Sequence, residues 1–302
     1  MKNDQLKYSL LLFFGTFIWG SAFVAQSAGT TYIGPYTFSA VRCAIGALTV
    51  LTILLLESSR KNESAKALIK AAIKPGLLCG VSHAAAVIIQ QVGIFYVGND
   101  TARAGFLTAL YLVIVPVLGL LFRRKVKWNM WIGIVLGIGG MYVMCMLGEN
   151  GSMTIGDALL IACSFFYAVQ ILLLDKFAPG LDPFALSFVE YCVTTTASAV
   201  FMVIFEEPTI DGIMNSWIPL LYCGILSMGI ASTIQTVSQR VIHPAVASLI
   251  MSLESVISLI CGWVYFGSML SGNEWAGCAL VFAGVLVSQL DLFIKNKKTK
   301  ET

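Results

Sequence analysis

Residues 129–147 read NMWIGIVLGIGGMYVMCML, without one charged side chain. At about 1.5 Å of rise per residue, a run of this length crosses a hydrocarbon layer of about 30 Å as a helix. The same run also contains a pattern that returns later in the chain. Trp131, Gly133, Leu136, Gly140 and Val143 meet Trp275, Gly277, Leu280, Gly284 and Val287 at a constant offset of 144. One stretch therefore predicts both a membrane span and an internal repeat.

Working outward, apolar runs of similar length fill the chain, near residues 7–28, 33–57, 75–97, 102–122, 129–147, 155–175, 184–205, 217–238, 244–266 and 275–294. Of the 302 residues 58% are hydrophobic and 12% charged, about half the charged share of a soluble domain. That composition excludes a water-soluble fold. The runs are too long and unbroken for barrel strands, so the backbone must satisfy its own hydrogen bonds as helices. The expectation is an all-α membrane protein of ten transmembrane helices. The first run exceeds the usual hydrophobic core of a signal peptide and ends in no clear cleavage pattern, so it counts as the first helix.

Basic residues orient the chain. With the N-terminus in the cytoplasm, 17 of the 19 Lys and Arg residues fall in cytoplasmic segments, Arg103 lies near an outer end, and Arg42 falls inside a span. This positive-inside bias places both termini in the cytoplasm of a multi-pass protein of the plasma or inner membrane. The net charge of +3 then reflects topology rather than nucleic-acid binding. The eight cysteines all sit inside spans, so a disulfide framework is not expected. Metal-ligand spacing is absent, and no metal or other cofactor is expected.

The repeat extends beyond the opening stretch. Cys79 matches Cys223, Gly80 matches Gly224, Gln91 matches Gln235 and Phe122 matches Phe266 at the same offset. Nearer the start of each half the offset becomes 148, where Pro35 matches Pro183 and each opens a span. Two repeats follow, residues 1–148 and 149–302, each with five spans. An odd number of spans sends the second repeat into the membrane from the opposite face, and inverted halves suit alternating access.

Certain residues also carry a resemblance: Trp19-Gly20-Ser21-Ala22-Phe23, Pro35 followed by Arg42, Leu253-Glu254-Ser255-Val256, and the Trp-x-Gly pairs at Trp131 and Trp275. In this order over about residues 8–290, the chain resembles EamA-type members of the drug/metabolite transporter superfamily. The resemblance implies a ten-helix exporter or exchanger, with four helices of each half around a central cavity and the fifth and tenth outside it. Relatives usually end the fourth and ninth helices with Gly-Glu. Here Phe122-Arg123 and Gly267-Ser268 stand instead, so the role of that glutamate does not carry over.

Charged groups inside a membrane are costly and usually face a bundle interior or a wet cavity. Three qualify: Arg42, its repeat equivalent Glu190, and Glu254. For Arg42 and Glu190 the leading expectation is an anchor satisfied by neighbours. Glu254 is expected to act in function, because its repeat equivalent is Leu110 and the carboxylate breaks the symmetry. Near the midplane, desolvation disfavours the charged form, which makes Glu254 a candidate to carry a coupling proton. His83 can change charge near neutral pH beside a carboxylate, although a lone buried histidine more often only bonds its neighbours. Trp19, Gln90, Gln91, Tyr111, Tyr167 and Gln235 are candidates for a solute cavity of mixed polarity, with belt or packing positions as the alternative. Pro116 should kink the fourth span, and Gly133, Gly137, Gly139 and Gly140 make a smooth face, either for a neighbour in the same chain or for a second copy in a homodimer.

The functional expectation is a secondary active transporter of small organic metabolites, such as amino acids or drug-like solutes, by alternating access and with protons as a candidate co-substrate. An intramembrane enzyme competes weakly, for the chain has no His-Glu-x-x-His helix, no Gly-x-Ser-x-Gly elbow and no phosphate-binding loop. A channel or ligand sensor is the second alternative.

Overall fold

The computed structural model describes residues 2–121, 127–146, 153–267 and 271–288. Arg123, Arg124, Lys125, Glu149, Ser268 and the basic residues beyond 288 lie outside them. Among the described residues the secondary structure is helical throughout. The helices are α1 (Lys2–Gly29), α2 (Pro35–Arg60), α3 (Ala65–Val97), α4 (Thr101–Thr108), α5 (Tyr111–Leu121), α6 (Trp128–Met146), α7 (Ile155–Phe177), α8 (Pro183–Phe205), α9 (Ile210–Asn215), α10 (Trp217–Leu221), α11 (Ser232–Ser238), α12 (Pro244–Met251), α13 (Glu254–Phe266) and α14 (Gly272–Ser288), with a π-helical stretch Tyr222–Ala231 between α10 and α11.

Among the described residues, eight helical segments are long and apolar enough to cross a membrane: α1, α2, α3, α4 with α5, α7, α8, α10 through α11, and α12 with α13. Two further apolar helices, Trp128–Val143 and Gly272–Val287, fall where the fifth and tenth spans are expected and are shorter. Large apolar side chains such as Leu10, Phe14, Leu56, Val81, Val135, Val203 and Val264 stand exposed on the outside of the bundle. In water this surface would be untenable; in a bilayer it faces acyl chains.

Local sequence sets most helix ends. Ser64 accepts a bond from Ala67 N and starts α3 ten residues before the apolar run that marks its span. The extra turns, AKALIKAAIK, are strong helix formers carrying Lys66, Lys70 and Lys74, so the helix continues past the lipid on its basic side. Thr154 and Asp157 form a reciprocal capping box for α7, Asp182 caps α8 ahead of Pro183, and Gly98 at φ 63° stops α3.

The spans touch in a regular order. α2 packs on α8 and on the π stretch, α3 on α7 and α8, α1 on α13 and the π stretch, and α4 on α13 and α7. α6 packs on α14. The glycine face of α6 serves this contact within the chain: a Cβ on Gly140 would lie 2.6 Å from Gly277 O, and one on Gly284 would lie 2.6 Å from Gly133 O. Gly139 faces open space.

Pro116 sits inside α5, and an interruption of the same span lies ahead of it. The span breaks at Ala109–Leu110, between α4 and α5. A matching break at Ser252–Leu253 separates α12 from α13. There the repeat equivalent of Pro116 is Ile260, so proline is not required for the break. In the second half Ser252, Ser255 and Ser258 each bond back to a carbonyl three residues earlier, a habit that bends helices.

Candidate functional site

The two breaks meet in the interior. Tyr111 is the first residue of α5 and Glu254 the first of α13, and the Tyr111 hydroxyl donates to Glu254 Oε1 at 2.8 Å. Both side chains are buried. They border a small, partly enclosed cavity of about 50 Å³. From α1 come Trp19, Phe23 and Gln26, spaced at i, i+4 and i+7 on one helical face. Arg42, His83, Gln90, Thr108 and Tyr167 approach from α2, α3, α4 and α7. The π stretch and α11 contribute Ser227, Met228, Ser232 and Gln235, and Met251 closes the ring from α12. Among the described residues, none from α6 or α14 lines it.

Hydrogen bonds hold most polar groups in the wall. Tyr167 donates its hydroxyl to Gln90 Oε1 at 2.9 Å, and Gln90 Nε2 donates to Thr108 Oγ1 at 3.4 Å. The rings of Tyr111 and Tyr167 meet edge to face, 6.4 Å between centroids. Trp19 Nε1 donates to the Ser227 carbonyl at 3.3 Å, and that carbonyl also receives the hydroxyl of Ser232 at 3.1 Å. Widening the helix to π geometry brings Ser232 N onto the same oxygen. One carbonyl thus ties α1 to the unwound part of the eighth span. π-helical turns cluster at functional sites.

Glu190 lies behind the wall. Gln170 Nε2 donates to its Oε1 at 2.8 Å, His83 Nδ1 stands 3.6 Å from the same oxygen, and Gln235 Nε2 donates onward to Gln170 Oε1 at 3.3 Å. His83 Nδ1 also lies 3.2 Å from Thr194 Oγ1. Of the candidates named from sequence, Trp19, Arg42, His83, Gln90, Tyr111, Tyr167, Gln235 and Glu254 border one cavity. Glu190 reaches it only through His83 and the two glutamines. Gln91 does not border it: the side chain is fully buried, and neither amide atom has a partner among the described residues. Sequence reading missed Phe23, Gln26, Thr108, Ser227, Met228, Ser232 and Met251. The helical spacing from Trp19 would have found Phe23 and Gln26; the π stretch left no signal for Ser227 and Met228.

Two closures stand at the helix ends. Glu206, just after α8, accepts from Tyr36 N at 2.9 Å, Thr37 N at 2.7 Å and the Thr37 hydroxyl at 2.6 Å, so it clamps the start of α2. Arg103 at the start of α4 pairs with Asp157 at the start of α7, at 2.5 Å.

The model of the EamA-like transporter family matches residues 6–146 and 154–290. An uncharacterized transporter of Archaeoglobus fulgidus is 24% identical over 90% of this chain and 82% of its own. The uncharacterized transporter YoaV of Bacillus subtilis is 24% identical over 90% and 93%, and the uncharacterized inner membrane transporter YedA of Escherichia coli is 22% identical over 90% and 87%. A solved crystal structure has the same fold at a TM-score of 0.77, with 19% identity, covering 94% of this chain and 98% of that one.

Proposed function

This chain belongs to the EamA-like transporter family, and from that premise we propose that it is a secondary transporter that exports or exchanges a small organic solute by alternating access, with Glu254 as its coupling group. The single observation that carries the proposal is the convergence of both broken spans on one buried cavity, with Glu254 and Tyr111 at the two half-helix starts. Discontinuous helices that meet in the interior are a recurring way for transporters to build a solute site.

The ten-span plan of two inverted halves, residues 1–148 and 149–302, is part of this proposal. Exchanging the halves maps one set of contacts onto the other, which supports it: α3 on α7 corresponds to the π stretch on α1, α2 on the π stretch to α8 on α3, α4 on α7 to α12 on α1, and α5 on α7 to α13 on α1. Interfaces that mirror each other in this way can exchange roles at similar energy, as alternating access requires. The two closures at the helix ends both fall on the face that the basic residues assign to the outside. Both termini are cytoplasmic in this plan, and the protein works without nucleic acid or a metal.

In the coupling step a positively charged group of the solute enters beside Glu254 and favours loss of its proton. Departure of that group favours return of the proton, so solute and proton exchange across the membrane. Comparing metabolites of cells with and without the protein supplies the solute, and counterflow in liposomes tests it. The decisive variant is Glu254→Gln, which keeps size and hydrogen bonding but cannot titrate. Exchange of the solute should survive, while accumulation driven by a pH gradient disappears. A variant that accumulates solute as strongly as the parent contradicts the coupling role.

A further inference from the structure

Arg42 is a cation buried without a counter-charge. Its side chain is 2% exposed and borders the cavity from α2. Nη1 donates to Gln26 Oε1 at 2.5 Å, and the guanidinium lies over the Phe38 ring, 5.6 Å from its centroid. Nε has no partner, and among the described residues no carboxylate stands within ion-pairing distance of Arg42. Glu254 borders the same cavity and holds the Tyr111 hydroxyl on Oε1, and no ion pair joins it to Arg42 among the described residues. The repeat equivalent of Arg42 makes the contrast plain. Glu190 receives an amide from Gln170 and has His83 beside it, whereas the guanidinium meets uncharged groups, the oxygen of Gln26 and the thiol of Cys223.

A guanidinium stays charged at any physiological pH, and an unpaired charge in a low-dielectric interior is strongly disfavoured. Something that enters the cavity must therefore complete it. We propose that Arg42 is the receptor for a carboxylate of the transported solute, so that the substrate class is small organic carboxylates; the assignment rests on the transporter reading above. The free edge of a guanidinium fits a carboxylate through paired N–H bonds. Arg42 is the sole Lys or Arg in the lining, which matches one negative charge rather than two. The rest of the solute then meets Trp19, Phe23 and Met228, an apolar surface suited to a hydrocarbon or aromatic body.

The test uses the purified full-length protein in detergent and matched probes: 3-phenylpropionate with 3-phenylpropanamide, L-phenylalanine with L-phenylalaninamide, and phenylphosphonate. Melting temperature is followed as each probe is titrated. Both acids should stabilise the parent with an apparent affinity about tenfold or more above their amides, the weight of a charge-assisted pair. Arg42→Gln should remove that preference, and Arg42→Lys should keep part of it. Should Arg42→Gln fail to fold, the acid-to-amide ratio in the parent still decides. Equal response to acids and amides, no response to either acid, stabilisation by phenylphosphonate alone, or an unchanged preference in Arg42→Gln each overturns the proposal. Transport is read separately, in liposomes with the solute found by metabolite comparison. Undiminished exchange by Arg42→Gln would remove Arg42 from the site and leave the transporter standing. Acid binding with no exchange by the parent would keep the receptor and defeat the transporter.

Discussion

Tyr111 and Glu254 show how much one buried pair can decide. The phenol is the only hydrogen-bond partner of the Glu254 side chain among the described residues, so Tyr111→Phe leaves a buried carboxyl group unsatisfied. A loss of about 1–3 kcal/mol is expected, read as a lower melting temperature in detergent. Glu254→Gln should be milder, because an amide oxygen still accepts the phenol. If the two variants melt alike, the bond contributes little. Gly20 makes a second prediction. A Cβ there would lie 2.5 Å from Ile257 Cβ and 2.9 Å from Glu254 O, so α1 and α13 cannot both hold their positions in Gly20→Ala. Overpacking of this kind costs about 1–3 kcal/mol, and an unchanged melting temperature would contradict the contact. At this scale the charged groups of the cavity and the amides of Gln90 and Gln235 were legible in the sequence, since such a group inside an apolar run has few places to go, whereas Gln26, Thr108, Ser227 and Ser232 were not singled out. The apolar half was not: Phe23, Met228 and Met251 look like any other lipid or packing residue until their neighbours are known. Gln91 shows the opposite error, an intramembrane amide that turns away from the cavity.

At the scale of elements, periodicity and length placed the helices, while the irregularities escaped. Proline was the natural signal for a bend in the fourth span, yet the break lies at Ala109–Leu110 and recurs at Ser252–Leu253 where no proline follows. Pro116→Ala should therefore keep the broken span and retain solute exchange near the parent level. A continuous α4–α5 helix with loss of exchange would return the break to the proline. Likewise, a π stretch differs from an α-helix only by a shift of hydrogen-bond partners, which no apolar pattern records. The Ser227 carbonyl gathers its three donors only once α1 and α11 are in place. The glycine face of α6 was legible as a packing surface but not its partner, because close approach is equally useful within one chain and between two. The structure assigns it to α14, so Gly140→Val should drive α6 and α14 apart and destabilise the protein by about 1–3 kcal/mol. A variant that melts with the parent would contradict that close contact.

Across the whole molecule, the proposed repeat rests in the sequence on a few residues at fixed offsets, at positions where helices pack closely. The mirrored contacts give those offsets a physical reason, and the clustering of Lys and Arg gives them a direction. The plan predicts that Asn62→Cys, in the turn after α2, reacts with an impermeant thiol reagent only from the cytoplasmic side. Glu207→Cys, after α8, should react only from the outside. The reverse pattern would invert the topology. In alternating access the cavity opens to each face in turn. Ser227→Cys in a cysteine-free background tests it most directly, because this position borders the cavity and the substitution changes little volume. Labelling by the impermeant reagent is expected from either side of oriented vesicles, with protection by the exchanged solute in both cases. Labelling from one side only, whatever the solute gradient, would contradict it.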